Sequence, residues 1–295
     1  MAPPTSELLN ILRYRTRGII PYTAAMPLDV DARVISNTRL SADYNVLALA
    51  APDIARCAEP GQFVMVKPAE GQDPLLRRPF SIFEILRDAD GRIAGLTLLI
   101  KKVGPGTAHL YAAAPGQSVT CLGPLGRPFT LVDPPTEAWM VAGGVGLAPF
   151  VVLAERLIER GITPILFYGA RQASDLYELG LFERLGVPLV LATEDGSRGV
   201  RGLVTHPLAE RLGAQPPGAR VMVYACGPEP MLVAVSRVAA AHDQPCELSM
   251  ERVMGCGMGG CFSCVVRVMG SDGTARYVRS CLEGPVFRGQ DVVWE

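Results

Sequence analysis

Near the C-terminus four cysteines stand at a spacing that few folds can satisfy: Cys256, Cys261 and Cys264 share one glycine-rich loop, and Cys281 answers them from further on. Three thiols at C-x4-C-x2-C spacing with a distant fourth suit a [2Fe–2S] cluster, because four thiolates must converge on two irons. A tight loop supplies three of them and a separate segment closes the cage. Gly255, Gly257, Gly259 and Gly260 lie in that loop, where glycine lets backbone N–H groups approach the negatively charged sulfurs. Structural zinc also takes four cysteines, typically as short paired knuckles, and only one half of this motif has that form. Disulfides would require an oxidising compartment. An iron–sulfur module fused to a larger protein is the expectation, with zinc and unligated thiols as the alternatives.

A chain of 295 residues has room for two or three domains, each with its own core. The formal net charge of −1 argues against a nucleic-acid partner, which calls for a basic excess or stripe. An uncharged, largely apolar run, residues 138–154, is too short for a membrane span and is interrupted by Gly143, Gly144, Gly146 and Pro149. Cys57, Cys121, Cys226 and Cys246 are scattered and read as small buried hydrophobes. The N-terminus lacks the long apolar stretch of a signal peptide, so a cytoplasmic location is expected. Residues 1–30 form an extension of open role. Within it Leu8, Leu9, Ile11 and Leu12, followed by Arg13, Arg15 and Arg17, have the makings of a short basic amphipathic helix that Pro21 and Pro27 would end. A frayed terminus is the simpler reading.

From 31 to 133, short strands alternate with glycine and proline punctuation: 32–36, 44–49, 62–66, 95–100 and 118–122. Their regular spacing predicts a small antiparallel β-barrel. Inside it lies Arg78-Pro79-Phe80-Ser81, whose arginine offers a fork of donors for a pyrophosphate and whose serine adds a hydroxyl. Leu99-Ile100-Lys101 and then Gly106-Thr107 follow; a glycine before a threonine can set N–H groups and a hydroxyl against phosphate oxygens.

After Pro134 and Pro135 the pattern changes to alternating strands and helices, which predicts a doubly wound parallel α/β domain over 134–245. Ligands bind such sheets beyond the carboxyl ends of the strands. That edge should carry Gly143-Gly144-Val145-Gly146 and Cys226-Gly227-Pro228. The first of these is not the G-x-G-x-x-G fingerprint, yet it opens a helix and suits a dinucleotide pyrophosphate; glycines needed only for packing are the plainer alternative. Residues 246–295 would form the cluster module. The fold class is thus α+β and multidomain: a flavin-type barrel, a nucleotide domain and a small C-terminal iron–sulfur module.

The barrel with Arg-Pro-Phe-Ser, then Gly-Gly-Val-Gly-Leu-Ala-Pro, then Tyr-Ala-Cys-Gly-Pro-Glu-Pro-Met resembles the ferredoxin–NADP reductase superfamily. With the cysteine module and Gly284-Pro285-Val286-Phe287 added, it looks like the electron-transfer subunits of two-subunit, NAD-linked dihydroorotate dehydrogenases, from about residue 31 to the end. That resemblance implies FAD held by Arg78, Pro79, Phe80 and Ser81, lined by Leu99, Ile100 and Lys101, with Gly106 and Thr107 at its phosphates. It implies a cluster on Cys256, Cys261, Cys264 and Cys281, and NAD at Gly143, Gly144, Gly146, Cys226, Gly227 and Pro228. Cys226 falls beside the nicotinamide position, with a structural thiol as an equal alternative.

The resemblance further implies electron transport in pyrimidine biosynthesis. An FMN-containing catalytic partner, in a heterotetramer, would oxidise dihydroorotate, and electrons would reach NAD+ through the cluster and FAD. Nothing in the chain itself suggests a pyrimidine-oxidising site, and its three histidines, His109, His206 and His242, form no evident triad. Two other readings stand beside this one: an equivalent subunit of an NAD(P)H–ferredoxin or sulfide oxidoreductase, and a zinc-stapled adaptor without redox function. For the choice of NAD or NADP, Arg171, Arg198 and Arg201 could reach a 2′-phosphate, while Glu194 or Asp195 could bond a ribose hydroxyl.

Overall fold

The computed structural model describes residues 26–68 and 75–294; the basic segment expected at 8–17 lies outside them. Seven antiparallel strands come first: β1 (Leu28–Arg39), β2 (Tyr44–Ala50), β3 (Phe63–Lys67), β4 (Arg78–Ser81), β5 (Glu84–Arg87), β6 (Ile93–Lys101) and β7 (Ser118–Leu125). Their order is β4-β3-β7-β1-β2-β6-β5. The two edge strands are joined by Ile82 and Phe83 alone, whose N–H groups bond to Gln62 O on one side and Thr97 O on the other. The sheet therefore curls until one continuous segment serves as both of its edges, which relieves the edge problem of an open sheet. Alternation decides what faces inward. Val64 and Val66 of β3 join Leu47, Leu49, Leu96, Leu98 and Ile100 inside the curl, while Phe63 and Met65 of the same strand point out of it.

Two helices accompany this sheet, α1 (Pro52–Cys57) and α2 (Pro105–Ala112). The C-terminus of α2 is fastened by Asn37, whose amide donates to Leu110 O, Tyr111 O and Ala113 O and accepts from Asn45. These bonds satisfy carbonyls that a helix end otherwise leaves orphaned.

The second sheet follows as β8 (Glu137–Gly143), α3 (Phe150–Glu159), β9 (Ile165–Ala170), α4 (Leu179–Arg184), β10 (Leu189–Thr193), β11 (Val200–Arg201), α5 (Thr205–Gly213), β12 (Val221–Cys226), α6 (Glu229–Ala241) and β13 (Cys246–Ser249). It runs β11-β10-β9-β8-β12-β13, all parallel. Residue parity along β8 sorts the helices. Met140 and Ala142 meet Phe150, Leu153 and Leu157 of α3 and Phe182 of α4 on one face. Trp139 and Val141 meet Leu208 and Leu212 of α5 and Leu232 and Val235 of α6 on the other. Each large apolar side chain so buried contributes roughly 1.5–3 kcal/mol.

The last elements are β14 (Val265–Met269), β15 (Ala275–Arg279), α7 (Ser280–Glu283) and β16 (Val286–Arg288). The parallel sheet crosses the boundary expected at 245/246: β13 pairs with β12, and β16 closes the edge antiparallel to β13. The cysteine loop is thus an insertion between two strands of the nucleotide domain's sheet, and its own core is a two-stranded ribbon whose Val266, Val268 and Val278 pack into that domain. No helix among the described residues is long and apolar enough to cross a membrane.

The two large domains are clamped through the connection after β7. Phe129 stacks on Phe150 and meets Tyr224 edge-on. Thr130 donates its N–H and hydroxyl to the buried Glu247 carboxylate at 2.8 and 2.6 Å, and accepts at its carbonyl from the Tyr224 hydroxyl. A less settled seam runs between β5 and the helices α3 and α4, where Glu84, Glu155 and Glu178 gather. Burial raises all three carboxyls above the ordinary range; mutual repulsion adds to the shift at Glu84, and Arg184 opposes it at Glu84 and Glu178. A raised folded-state value means a stabilising contribution present at low pH and lost as pH rises through it. Glu155→Gln should therefore raise Tm by about 2 °C at pH 8 and by nothing near pH 4, read from thermal melts across that range.

Candidate functional site

The four motif cysteines gather in two pairs. Cys256 Sγ accepts backbone N–H bonds from Met258 and Gly260 at 3.4 and 3.3 Å. Cys261 stands beside it, its sulfur 3.1 Å from the Ser263 hydroxyl. That hydroxyl accepts from Gly255 N, so its own proton is free for the sulfur. The Ser263 bonds, followed by the nearby Cys256, lower the Cys261 thiol to about 6. The second pair is Cys264 with Cys281, whose N–H points to Cys264 Sγ at 3.5 Å. Both lie buried in one apolar nest with Phe63, Met65, Leu122, Leu125 and Met254, and burial followed by the Cys264 neighbour pushes the Cys281 thiol up to about 12. Gly257 must be glycine: its φ is +71°, and a Cβ there would lie 2.6 Å from Met65 Cγ.

This donor set fits two irons better than one zinc. Two thiol pairs with N–H donors aimed at the sulfurs are what a binuclear cluster carrying negative charge needs.

The residues expected at a flavin lie where β4 and the end of β6 diverge. Pairing of β5 with β6 begins at Glu84↔Thr97, so residues 98–101 have β2 on one side and an open edge on the other. Arg78 donates to Leu76 O and Arg77 O, and its Nε would stand 3.2 Å from a Cβ on Gly106. Arginine and the N-terminus of α2 thus face each other closely, with glycine keeping the space clear, and donors so placed have the chemistry to bind an anion such as a pyrophosphate. Two expected contacts change character. The Thr107 hydroxyl is already engaged, accepting from Val103 N and Gly104 N and donating to Gly104 O; it shapes the turn and leaves phosphate to the N–H groups. Ile100 points into the barrel, because it has the opposite parity to Leu99, which faces the nucleotide domain. Only its backbone borders the open edge.

The glycine loop follows β8 at the carboxyl edge of the parallel sheet, beside the end of β12. A Cβ on Gly146 would lie 2.2 Å from the Cys226 carbonyl oxygen, and one on Gly227 3.1 Å from Gly143 N. Packing and binding readings of these glycines are therefore not exclusive: two backbone turns touch, and their contact places the loop ahead of α3. Gly144, with φ +56°, has only the Tyr44 hydroxyl within reach of its Cβ position, at 3.9 Å. Cys226 is buried, and its thiol is pushed up to about 12 by that burial and then by Glu251. It is a neutral thiol in this setting and has no nucleophilic character.

Several residues join this region that the sequence did not single out. Glu251, whose carboxyl is raised by burial and lowered by Lys101, stands by Cys226. The Tyr44 ring lies 4.6 Å from that of Tyr177 and beneath the Lys101 ammonium. Their sole sequence signal is proximity to motif residues; the tertiary fold brings them together. Asp195 is occupied by the Ser197 N–H and hydroxyl, so of the two carboxylates suggested for a ribose, Glu194 is the one without such a bond. A groove of about 610 Å³ near Arg220 and His242 lies at the opposite, amino edge of the sheet, away from the edge where such sheets bind nucleotides.

Residues 251–293 match the family described as the iron–sulfur cluster binding domain of dihydroorotate dehydrogenase B. Residues 140–237 match the oxidoreductase NAD-binding domain. The chain is 39% identical over 265 residues to the dihydroorotate dehydrogenase B (NAD(+)) electron transfer subunit of Desulforamulus reducens, covering 90% of this chain and 98% of that one. It is 39% identical to the subunit of the same name from Geobacillus thermodenitrificans, over 88% and 96% of the two chains. Among solved structures, that of the NADH-dependent reduced ferredoxin-NADP oxidoreductase superposes with a TM-score of 0.77 at 26% identity, over 90% of each chain. The ferredoxin reductase in carbazole 1,9a-dioxygenase shares the fold, with a TM-score of 0.63 at 22% identity over 74% and 67%. With a curled antiparallel sheet, a parallel α/β sheet and two thiol pairs arranged as described, the chain belongs to the family of dihydroorotate dehydrogenase B (NAD(+)) electron transfer subunits.

Proposed function

We propose that this chain carries electrons between a catalytic dihydroorotate dehydrogenase subunit and NAD+, as a step of pyrimidine biosynthesis in the cytoplasm. The observation that carries the reading is the coexistence, in one chain, of the paired thiols, the facing Arg78 and Gly106 and the glycine loop at the sheet's carboxyl edge. FAD and the [2Fe–2S] cluster supply the electron transfers themselves, the flavin exchanging electrons singly or in pairs and the cluster singly.

The protein's own residues bind, orient and insulate. Cys256, Cys261, Cys264 and Cys281 would ligate the irons, and the N–H groups of Met258 and Gly260 would neutralise charge on sulfur. Arg78, Pro79, Phe80 and Ser81 would hold FAD, with Gly106 and Thr107 giving N–H groups to its phosphates and Leu99, Lys101 and the Ile100 backbone along its ring. Gly143, Gly144, Gly146, Gly227 and Pro228 would seat NAD+, and the neutral Cys226 would pack beside the nicotinamide. The working division is FAD on 31–133, NAD on 134–245 with β13 and β16 completing its sheet, and the cluster on the remainder of 246–295. Val253, Met258 and Phe262 stand exposed around the cysteine loop and favour a docked protein there; on this reading it is the FMN-containing catalytic subunit, in a heterotetramer.

Co-purification with the partner subunit, with dihydroorotate as reductant and NADH formation as readout, tests the assignment; no NADH with any reconstituted partner would sink it. The likeness to the ferredoxin-NADP oxidoreductase structure favours a second reading, the same relay serving ferredoxin, which reduction of NAD+ by reduced ferredoxin would reveal. Arg78→Ala should weaken FAD binding by about 10- to 100-fold, the worth of lost charge-assisted hydrogen bonds. Lysine should not restore it, since the planar fork is what spans two phosphate oxygens. Flavin fluorescence on dilution reads this directly.

A further inference from the structure

Met65 lies between the two halves of the proposed relay. On one side it touches the cysteine loop: the space a Cβ on Gly257 would take is 2.6 Å from Met65 Cγ and 3.2 Å from its Sδ. It is fully buried and shares its apolar nest with Cys264 and Cys281. On the other side it is the cross-strand partner of Pro79, and its neighbour Phe63 is the partner of Ser81. Paired residues of an antiparallel ladder lie on the same face, with Cβ atoms about 4.5–5.5 Å apart. So Met65 and Pro79 stand side by side on the outer face of the curl, under the cysteine loop. One strand separates the buried thiol pair from Arg78-Pro79-Phe80-Ser81, and Met65 fills that interval.

We infer that Met65 is a positioning residue that holds the cysteine loop at a set distance from the Arg78–Ser81 strand, and so would set the separation between cluster and flavin. The inference rests on the relay reading above. FAD and the cluster, when bound, would supply the one-electron exchange across this interval; driven in reverse for the test, NADH would give its hydride to FAD and leave as NAD+, and single electrons would then pass on to the oxidised cluster. A flexible thioether suits the place, since it fills an irregular gap under a loop whose glycine admits no side chain.

The experiment uses the full chain loaded with FAD and cluster, reduced by NADH in a stopped flow, with flavin and cluster bands followed separately. Met65→Ala should leave NADH-to-FAD reduction unchanged and slow the following electron step by about 10- to 100-fold, the scale on which an ångström of misplacement tells. Met65→Leu, nearly equal in volume, should restore most of the rate. Leu125→Ala is the control. Leu125 lies 3.3 Å from the same Gly257 position but on β7, across β3 from the flavin strand, so it loosens the nest without opening the interval. Iron, labile sulfide and cluster potential are measured on each variant. Equal slowing in Met65→Ala and Leu125→Ala, or no slowing in a Met65→Ala protein with full iron and FAD, overturns the inference. If Met65→Ala loses its cluster, Met65→Val takes its place, and no slowing relative to Leu125→Ala in a Met65→Val protein with full iron and FAD overturns the inference. Failure of the unaltered chain to take up FAD or iron would count against the relay reading instead.

Discussion

Cys281→Ser is expected to strip the chain of iron and labile sulfide while leaving FAD in place. Cys281 is 1% exposed and closes the buried thiol pair, so no solvent ligand can replace its sulfur. Altering even the groups around a metal ligand typically costs 10- to 100-fold in affinity, and losing the ligand should cost at least about 100-fold. The serine also leaves a polar group in the nest formed by Phe63, Met65, Leu122 and Leu125, which loosens the contact between cluster module and barrel. Cys261→Ser should be milder, because Cys261 is exposed and hydrogen-bonded by Ser263. Elemental analysis and the visible spectrum rank the two. Oxidation of NADH by an artificial acceptor that takes electrons from flavin should survive in both. If Cys281→Ser keeps its iron, the pairing of Cys264 with Cys281 is not how the metal is held.

Gly146→Ala should act at a different point of the relay and for a backbone reason. The methyl would have to occupy a place 2.2 Å from the Cys226 carbonyl oxygen, and neither turn can yield without moving β8 or β12. Overpacking of this kind costs typically 1–3 kcal/mol, and a clash with backbone falls at the upper end, about 3 kcal/mol. Tm should fall by roughly 6–12 °C. The displaced loop should raise KM for NAD+ by at least about tenfold, with FAD and iron contents unchanged. A variant that kept its KM while losing stability would assign Gly146 to packing alone.

These variants touch motifs that were legible in the sequence, and the reason is local. A cysteine spacing, an Arg-Pro-Phe-Ser strand and a glycine turn between strand and helix each fix a short piece of backbone. The helix that the glycine loop is expected to open forms as Phe150–Glu159 because its apolar positions keep to one face. Parity places Leu99 and Ile100 on opposite sides of β6, a distinction that alternation along a strand carries and a contiguous motif does not. The short β11 (Val200–Arg201) and the engagement of the Thr107 hydroxyl carried no such signal, since both depend on what neighbouring backbone leaves unpaired.

By itself the sequence determined which groups this protein has to work with: four thiols in a fixed spacing, two glycine turns, and two kinds of hydrophobic period that dictate a curled antiparallel sheet and a parallel one. Only the tertiary structure decided the relations among them. Division of the thiols into two pairs, the packing of Gly257 on Met65 and so beside Pro79, and the insertion of the cysteine loop between two strands of the nucleotide sheet all join residues far apart in the chain. Spacing and periodicity act over a few residues, whereas burial of apolar surface is satisfied by whichever distant partners close the core.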